Sequence, residues 1–185
     1  MKRERTLNLE EILTKILQKE GFRSNHSDDL GGDTTYGITE KTARKLGYSG
    51  LMADLSKQQA RDLYRREYIE RVRFDEIHKI SATIGHELID TGVNMGQVIA
   101  AKFLQRWLNA YNKKQAYYAD LLVDGLIGSA TLNALKAFLK HRGNEGEQVL
   151  CKSLNCSQGA RYLDITEARE RNETFVYGWM KHRVE

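Results

Sequence analysis

The chain has 185 residues, of which 41% are hydrophobic and 29% charged, and its formal net charge is +4. This length allows one domain or two small ones with a real core. No apolar run approaches the roughly 18–20 residues of a membrane helix, and two cysteines are too few for a disulfide scaffold. Basic and acidic residues alternate along the chain, which favours solvated helix faces over a nucleic-acid surface.

The first half of the chain predicts helices around one small β element. Helices are predicted over residues 8–21, 39–47, from 56 onward and over 97–111. Residues 80–89 form a further apolar segment, with an interruption expected at Gly92. Ser56 and Gln59 have the spacing of a capping box at the start of the third of these helices. Residues 22–38 show no helical period and are rich in Asn, Ser, Asp and Gly, which predicts a loop or a short hairpin.

The second half predicts further helices after a polar connection at 112–128. Ser129 is expected to cap a helix that carries Leu132, Leu135 and Phe138 on one face. Two more helices are predicted near 145–154 and 157–183, the second with a break around Asn172. The fold class is therefore mainly α.

Glu20 is the first candidate for chemistry. On a helix at about 100° per residue, it falls within the apolar arc of the first predicted helix. It also lies in the last turn before Gly21, where the free carbonyl groups carry partial negative charge. Burial and this charge would both raise the pKa of the carboxyl group, as a general acid requires. Fraying of the helix before residue 20, which would expose the side chain, is the alternative.

The segment after Glu20 resembles the catalytic segment of phage-type lysozymes, in which an Asp nine residues and a Thr fifteen residues after the Glu line the cleft. Asp29 and Thr35 stand at these distances. The run is more similar still to glycoside hydrolase family 108, the N-acetylmuramidases, with the pattern E-G-G-[YF]-x-x-x-x-x-D-x-G-G-x-T-x-x-G-I. Phe22 replaces the second Gly of that pattern, or fills its aromatic position after a one-residue deletion, and Leu30 replaces a common Pro. Both departures concern loop shape and leave the proton-transfer groups in place.

Later segments extend the resemblance to about residues 9–183. LYRREYI at 63–69 resembles the family's Y-x-x-x-Y-W, with Ile69 in place of the Trp, and LIDTGVNMG at 88–96 resembles its F-D-x-x-V-N-x-G. The L-Q-x-x-L-N and D-G-x-x-G-x-x-T motifs at 104–109 and 124–131, with F-x-x-G-W at 175–179, are similar to a predicted peptidoglycan-binding region.

The resemblance implies a lysozyme-like helical lobe with a small β-hairpin over residues 1–92, and a closely packed helical C-terminal lobe over 93–185. It implies hydrolysis of the β-1,4 bond between N-acetylmuramic acid and N-acetylglucosamine. Glu20 would be the acid, Asp29 the second carboxylate and Thr35 a water-binding residue. The implied substrate-binding residues are Thr34, Tyr36 and Asn94.

Several alternatives stay open from the sequence. Asp28 or Asp33 could replace Asp29, and the outcome could be inverting or retaining. Asp29 could also simply cap a turn, and Tyr36 could pack the hairpin instead of stacking on a sugar. A non-catalytic wall-binding module, a helical nucleic-acid-binding protein and a lytic transglycosylase are the competing functions.

The remaining expectations concern cofactors, partners and location. HELID at 86–90 resembles a zinc motif but ends in Asp, so no metal or other cofactor is expected. DGLIGSAT is expected to form a turn in which Asp124 binds backbone amides, with direct glycan contact as the alternative. Cys151 and Cys156 are expected to be free thiols. We expect a monomer that binds peptidoglycan glycan strands and neither nucleic acid nor membrane. Without a visible signal peptide, it would be made in the cytoplasm and reach the wall with a holin or by another export route.

Overall fold

The computed structural model describes residues 34–36 and 38–184, and it is mainly helical, as predicted. The chain divides into two compact units, one ending at Val72 and the other beginning at Arg73. The predicted boundary between residues 92 and 93 stays a prediction. Those two residues lie inside a continuous helix of the second unit.

The first unit contains a small hairpin followed by short helices. Strands β1 (Thr34–Thr35) and β2 (Ile38–Thr39) pair antiparallel, with Thr35 opposite Ile38. Helix α1 (Glu40–Lys45), a 3-10 turn (Met52–Asp54) and helix α2 (Lys57–Arg65) follow, and a π-helical turn (Arg66–Glu70) continues α2. The predicted hairpin and the predicted helices from residues 39 and 56 are therefore present.

Side chains and glycine define the helix ends of this unit as predicted. The Thr39 hydroxyl accepts a hydrogen bond from the Thr42 amide at the start of α1. Gly47, with a φ of 88°, ends it, and the next residue's amide returns to the carbonyl of Ala43. This positive φ favours glycine because it has no Cβ. Ser56 forms the predicted capping box at the start of α2.

The second unit is a helical bundle around one central helix. Its helices are α3 (Phe74–Ile80), α4 (Ala82–Met95), α5 (Gln97–Ala110), α6 (Ser129–Glu167) and α7 (Glu173–Arg183), with a 3-10 turn (Glu170–Asn172) before the last. Helix α4 packs against α3, α5 and α6, which explains why its buried residues lie around most of its circumference.

Gly92 does not interrupt α4, contrary to the sequence expectation. The helix runs on to Met95 and ends at Gly96. A Cβ atom on Gly92 would lie 3.0 Å from the ring of Phe74, so the absence of a side chain lets α3 approach α4. Gly92 thus allows close helix packing, and α4 stays helical despite the low helix propensity of glycine.

The long helix α6 differs from the prediction at two places. Ser129 does not cap it, because Gly128 occupies the extended N-cap position and no side chain bonds there. The predicted gap between residues 154 and 157 is also absent. The backbone of α6 leaves the helical conformation at Gly143, before the predicted helix near 145. The predicted break around Asn172 corresponds to the 3-10 turn between α6 and α7.

Candidate functional site

The hairpin carries three of the residues singled out in the sequence. Thr35 is buried, and its hydroxyl donates a hydrogen bond to the carbonyl oxygen of Met52 over 2.9 Å. This bond attaches β1 to the 3-10 turn. Because it uses the hydroxyl hydrogen, a water molecule that contacts Thr35 would have to donate to its oxygen. Thr34 pairs with Thr39 in the ladder, and Tyr36 is partly exposed in the turn with a φ of 53°.

The two predicted carboxylates, Glu20 and Asp29, lie outside the described residues, as do Asp28 and Asp33. Their roles therefore stay predictions. The described strands lie within the same sequence motif, directly after these acids. Among the predicted catalytic residues, Thr35 is the one whose position the structure describes, and its hydrogen bond to Met52 holds it in place.

A pocket of about 120 Å³ opens in the first unit beside β2. It lies among α1, the end of α2 and the π turn. Tyr64 and Tyr68 stack with their ring centroids 5.2 Å apart. The residues that line the pocket are Ile38, Thr39, Thr42, Leu46, Leu63, Tyr64 and Tyr68.

The Thr39 and Thr42 hydroxyl groups of this pocket form a short chain of hydrogen bonds. The Thr39 hydroxyl group accepts a hydrogen bond from the Thr42 amide and donates one to the Thr42 hydroxyl oxygen over 3.0 Å. The lining thus combines hydroxyl groups, aromatic rings and aliphatic side chains. Sequence reasoning noted the LYRREYI motif but did not connect it to β2, since only folding brings these segments together.

Asn94 lies on α4 in the second unit, whereas the hairpin residues belong to the first. Its side-chain amide donates to the carbonyl oxygen of Asp90 over 2.7 Å and to the Asp90 carboxylate over 3.0 Å. This carboxylate also receives hydrogen bonds from Gln158 and Arg183, each over 3.3 Å. Asn94 is therefore part of a polar network that joins α4, α6 and α7.

Sequence reasoning did not predict this network. Glu87, one turn from Asp90, is buried and accepts hydrogen bonds from Thr91 over 3.2 Å and from Asn155 over 2.9 Å. Tyr162 lies nearby, and its burial raises the pKa of its hydroxyl group to about 12. The 86–90 segment that resembled a zinc motif thus supplies acceptors to helix–helix hydrogen bonds. Within the described part of the chain, no cluster of three or more potential metal ligands is present.

The D-G-x-x-G-x-x-T segment is a structural turn organised by Gln105. The buried side-chain amide of Gln105 donates to the Asp124 carboxylate over 2.9 Å and to the Leu126 carbonyl over 3.0 Å, and accepts from the Gly125 amide over 2.8 Å. Asp124 also accepts from the Leu126 amide, as predicted. These bonds, led by that of the Leu126 amide, hold the pKa of Asp124 below its ordinary value.

Two further observations on the described residues concern the cysteines and membrane-spanning helices. Cys151 and Cys156 are free thiols. Among helices in the described ranges, none combines the length and apolarity that crossing a bilayer requires.

Comparisons with known proteins match both halves of the chain. Residues 13–96 match the family described as Glycosyl hydrolase 108, and residues 99–184 match the family described as Predicted Peptidoglycan domain. A solved structure titled "Structure of Brucella abortus SagA" is 24% identical, with a TM-score of 0.59 over 93% of this chain and 87% of that one. At this identity, the likeness shows the fold. No curated protein matches the sequence.

The two family matches support a peptidoglycan hydrolase with peptidoglycan as its partner. They cover the predicted catalytic segment and the C-terminal motifs in the same order as the sequence resemblance. Residues 13–96 are thus similar to glycosyl hydrolase family 108, and residues 99–184 to a predicted peptidoglycan domain.

Proposed function

We propose that the protein is an N-acetylmuramidase that hydrolyses the β-1,4 bond between N-acetylmuramic acid and N-acetylglucosamine. The observation that carries this proposal is the family match over residues 13–96, which contains Glu20 and the whole segment that follows it. In a hydrolase of this kind, a carboxylic acid protonates the glycosidic oxygen while a second group acts on the opposite face of the sugar.

Glu20 is the proposed acid, because its expected place at the end of an apolar helix face favours the protonated form. Asp29 is the proposed second carboxylate. A separation of about 6.5–9.5 Å between the two carboxyl groups would give inversion, and one of about 5–5.5 Å would give retention through a covalent intermediate.

Thr35 is proposed to help hold the water. Its hydroxyl hydrogen is engaged by the Met52 carbonyl, so the oxygen is left to accept a hydrogen from water. The second hydrogen of this water would then be available to Asp29, which would act as the base. The bond to Met52 also fixes the threonine rotamer, which reduces the entropy lost when the water is bound.

Digestion of purified sacculi tests the proposal. The protein should release fragments with new reducing N-acetylmuramic acid ends, identified by mass spectrometry after borohydride reduction. Glu20→Gln should lower the rate by at least about 100-fold, since general acid catalysis contributes roughly 10²–10⁴-fold. Glu70→Gln, at an exposed position of the π turn, is the matched control and should keep the wild-type rate.

Other outcomes of the same digest would contradict the proposal in different ways. Fragments with 1,6-anhydro ends would identify a lytic transglycosylase. Sacculus binding that Glu20→Gln leaves unchanged, with no fragments released by either protein, would identify a wall-binding module. DNA affinity that falls steeply with salt, without muropeptide release, would identify a nucleic-acid-binding protein.

A further inference from the structure

We propose that the pocket beside β2 binds the N-acetyl group of an amino sugar in the glycan strand. This proposal rests on the proposed function, because it assumes that the substrate is a chain of N-acetylated sugars. It adds a specificity site to a unit whose predicted catalytic acids lie elsewhere in the sequence. The pocket belongs entirely to the unit ending at Val72.

The polar contact for the acetyl carbonyl would come from Thr42. Its oxygen accepts the hydrogen of the Thr39 hydroxyl, so its own hydrogen remains to be donated. Among residues 34–36 and 38–184, none accepts a hydrogen bond from the Thr42 hydroxyl group. An amide carbonyl is an acceptor of matching chemistry. The chain Thr39–Thr42–carbonyl would be polarised in one direction, which strengthens each hydrogen bond.

The apolar contacts for the acetyl methyl would come from the aliphatic lining. Ile38 and Leu63 are buried, and Leu46 is partly exposed at the end of α1. A methyl group that leaves water for such a surface gains free energy in proportion to the area buried. A hydroxyl group in the same position, as in a sugar without the acetamido group, would gain none.

The size and the aromatic lining fit an acetamido group on a sugar ring. The volume of about 120 Å³ is well above the roughly 10–15 Å³ that a single water molecule needs. The stacked rings of Tyr64 and Tyr68 form an aromatic wall of the pocket. Tyr68 lies in the π turn, a helical irregularity that occurs frequently at functional sites.

The position in the chain links the pocket to the predicted chemistry. Ile38 and Thr39 form β2, whose partner β1 contains Thr35. A sugar bound through this pocket would therefore contact the strand next to the proposed water-binding residue. The pocket would fix one sugar of the strand and so determine which bond reaches the acids.

Binding of two neutral trisaccharides tests the inference independently of hydrolysis. Tri-N-acetylchitotriose and cellotriose differ at the acetamido group, and the Glu20→Gln protein prevents cleavage during the measurement. By calorimetry or NMR titration, Thr42→Val should weaken binding of the acetylated sugar by roughly 3- to 10-fold, the value of one lost hydrogen bond. Cellotriose binding should not change.

Matched variants separate the hydroxyl group from fold effects. Thr42→Ser keeps the hydroxyl and should restore affinity, and Thr83→Val on α4 in the other unit should leave it unchanged. Leu46→Trp, at a partly exposed position, should fill the pocket and abolish the preference for the acetylated sugar even if Thr42→Val is unstable.

Two results would overturn the inference. One is full affinity of folded Thr42→Val or Leu46→Trp for the acetylated sugar. The other is an equal loss of affinity for tri-N-acetylchitotriose and for cellotriose. Either result could accompany normal release of reducing ends from sacculi, in which case the muramidase proposal stands. Absence of any fragments would reject the muramidase proposal while acetyl-dependent binding still supported the pocket.

Discussion

Replacing Gln105 by Leu should destabilise the second unit strongly. Gln105 is 1% exposed, and its amide group serves the Gly125 amide, the Leu126 carbonyl and the Asp124 carboxylate. Leucine has a similar volume but can neither donate nor accept. The buried Gly125 amide left without a partner costs about 1–3 kcal/mol, and the lost bond to Leu126 adds about 0.5–1.5 kcal/mol. We expect a loss of about 1.5–4.5 kcal/mol in the free energy of unfolding.

Urea unfolding followed by tryptophan fluorescence measures this loss. Both tryptophans, Trp107 and Trp179, lie in the unit that begins at Arg73, so the signal reports on the unit concerned. Gln148→Leu, at an exposed position of α6, is the control and should change stability by less than about 0.5 kcal/mol.

A change below about 0.5 kcal/mol for Gln105→Leu would refute the structural reading of the turn. Loss of sacculus binding without loss of stability would be the most direct contradiction. It would mean that the motif contacts glycan, the alternative that the hydrogen bonds of Gln105 argue against. Equal loss of stability and binding supports the structural reading, because a disordered turn would affect both.

Three further predictions concern the same unit. Gly85→Ala should lower the free energy of unfolding by about 1–3 kcal/mol, because the new Cβ would lie 2.5 Å from the His78 Cα and overpack the helix contact. Gly178→Ala, whose Cβ would have no atom within 4 Å, should raise it by about 0.5–1 kcal/mol, and thermal unfolding measures both changes. Burial raises the pKa of Tyr162 from 10 to about 12, so the contribution of this shift to folding stability is complete below pH 10 and is lost as the pH rises toward 12. In urea titrations, Tyr162→Phe should therefore lose less stability than the wild type between pH 10 and 12. An equal loss in both proteins would contradict this prediction. The lowered pKa of Asp124 contributes folding stability that is present above pH 3.8, the ordinary pKa of the group, and is lost as the pH falls below that value. Asp124→Asn should therefore make stability depend less steeply on pH in the acid range. An unchanged acid dependence would contradict this prediction.

Local chemistry explains what the sequence predicted well. The capping box of Ser56 and the C-terminal Gly47 act within a few residues of their own position, so their effect is visible in the sequence. The error at Ser129 arises because the preceding turn, held by Gln105, places the extended N-cap conformation at Gly128. A contact between distant segments thus decided the start of that helix.

Tertiary packing explains the other differences. Gly92 would weaken an isolated helix, but α3 packs on the space that it leaves. Asn155 would favour a helix end, yet its amide bonds to the buried Glu87 of α4, so α6 continues through it. In the candidate site, Thr35 could be selected by its spacing, whereas its bond to Met52 required knowledge of the 3-10 turn.

The π turn at Arg66–Glu70 has a consequence for comparing this protein with its relatives. The Arg71 amide bonds to the Arg66 carbonyl, five residues earlier, so the helix carries one residue more than an α-helix would over the same rise. Deleting one residue here would leave a regular helix over the same rise, so the chain after the turn would keep its direction. A related sequence that aligns with a one-residue gap in this segment therefore lacks the π turn, and the gap by itself does not indicate a rotated helix face.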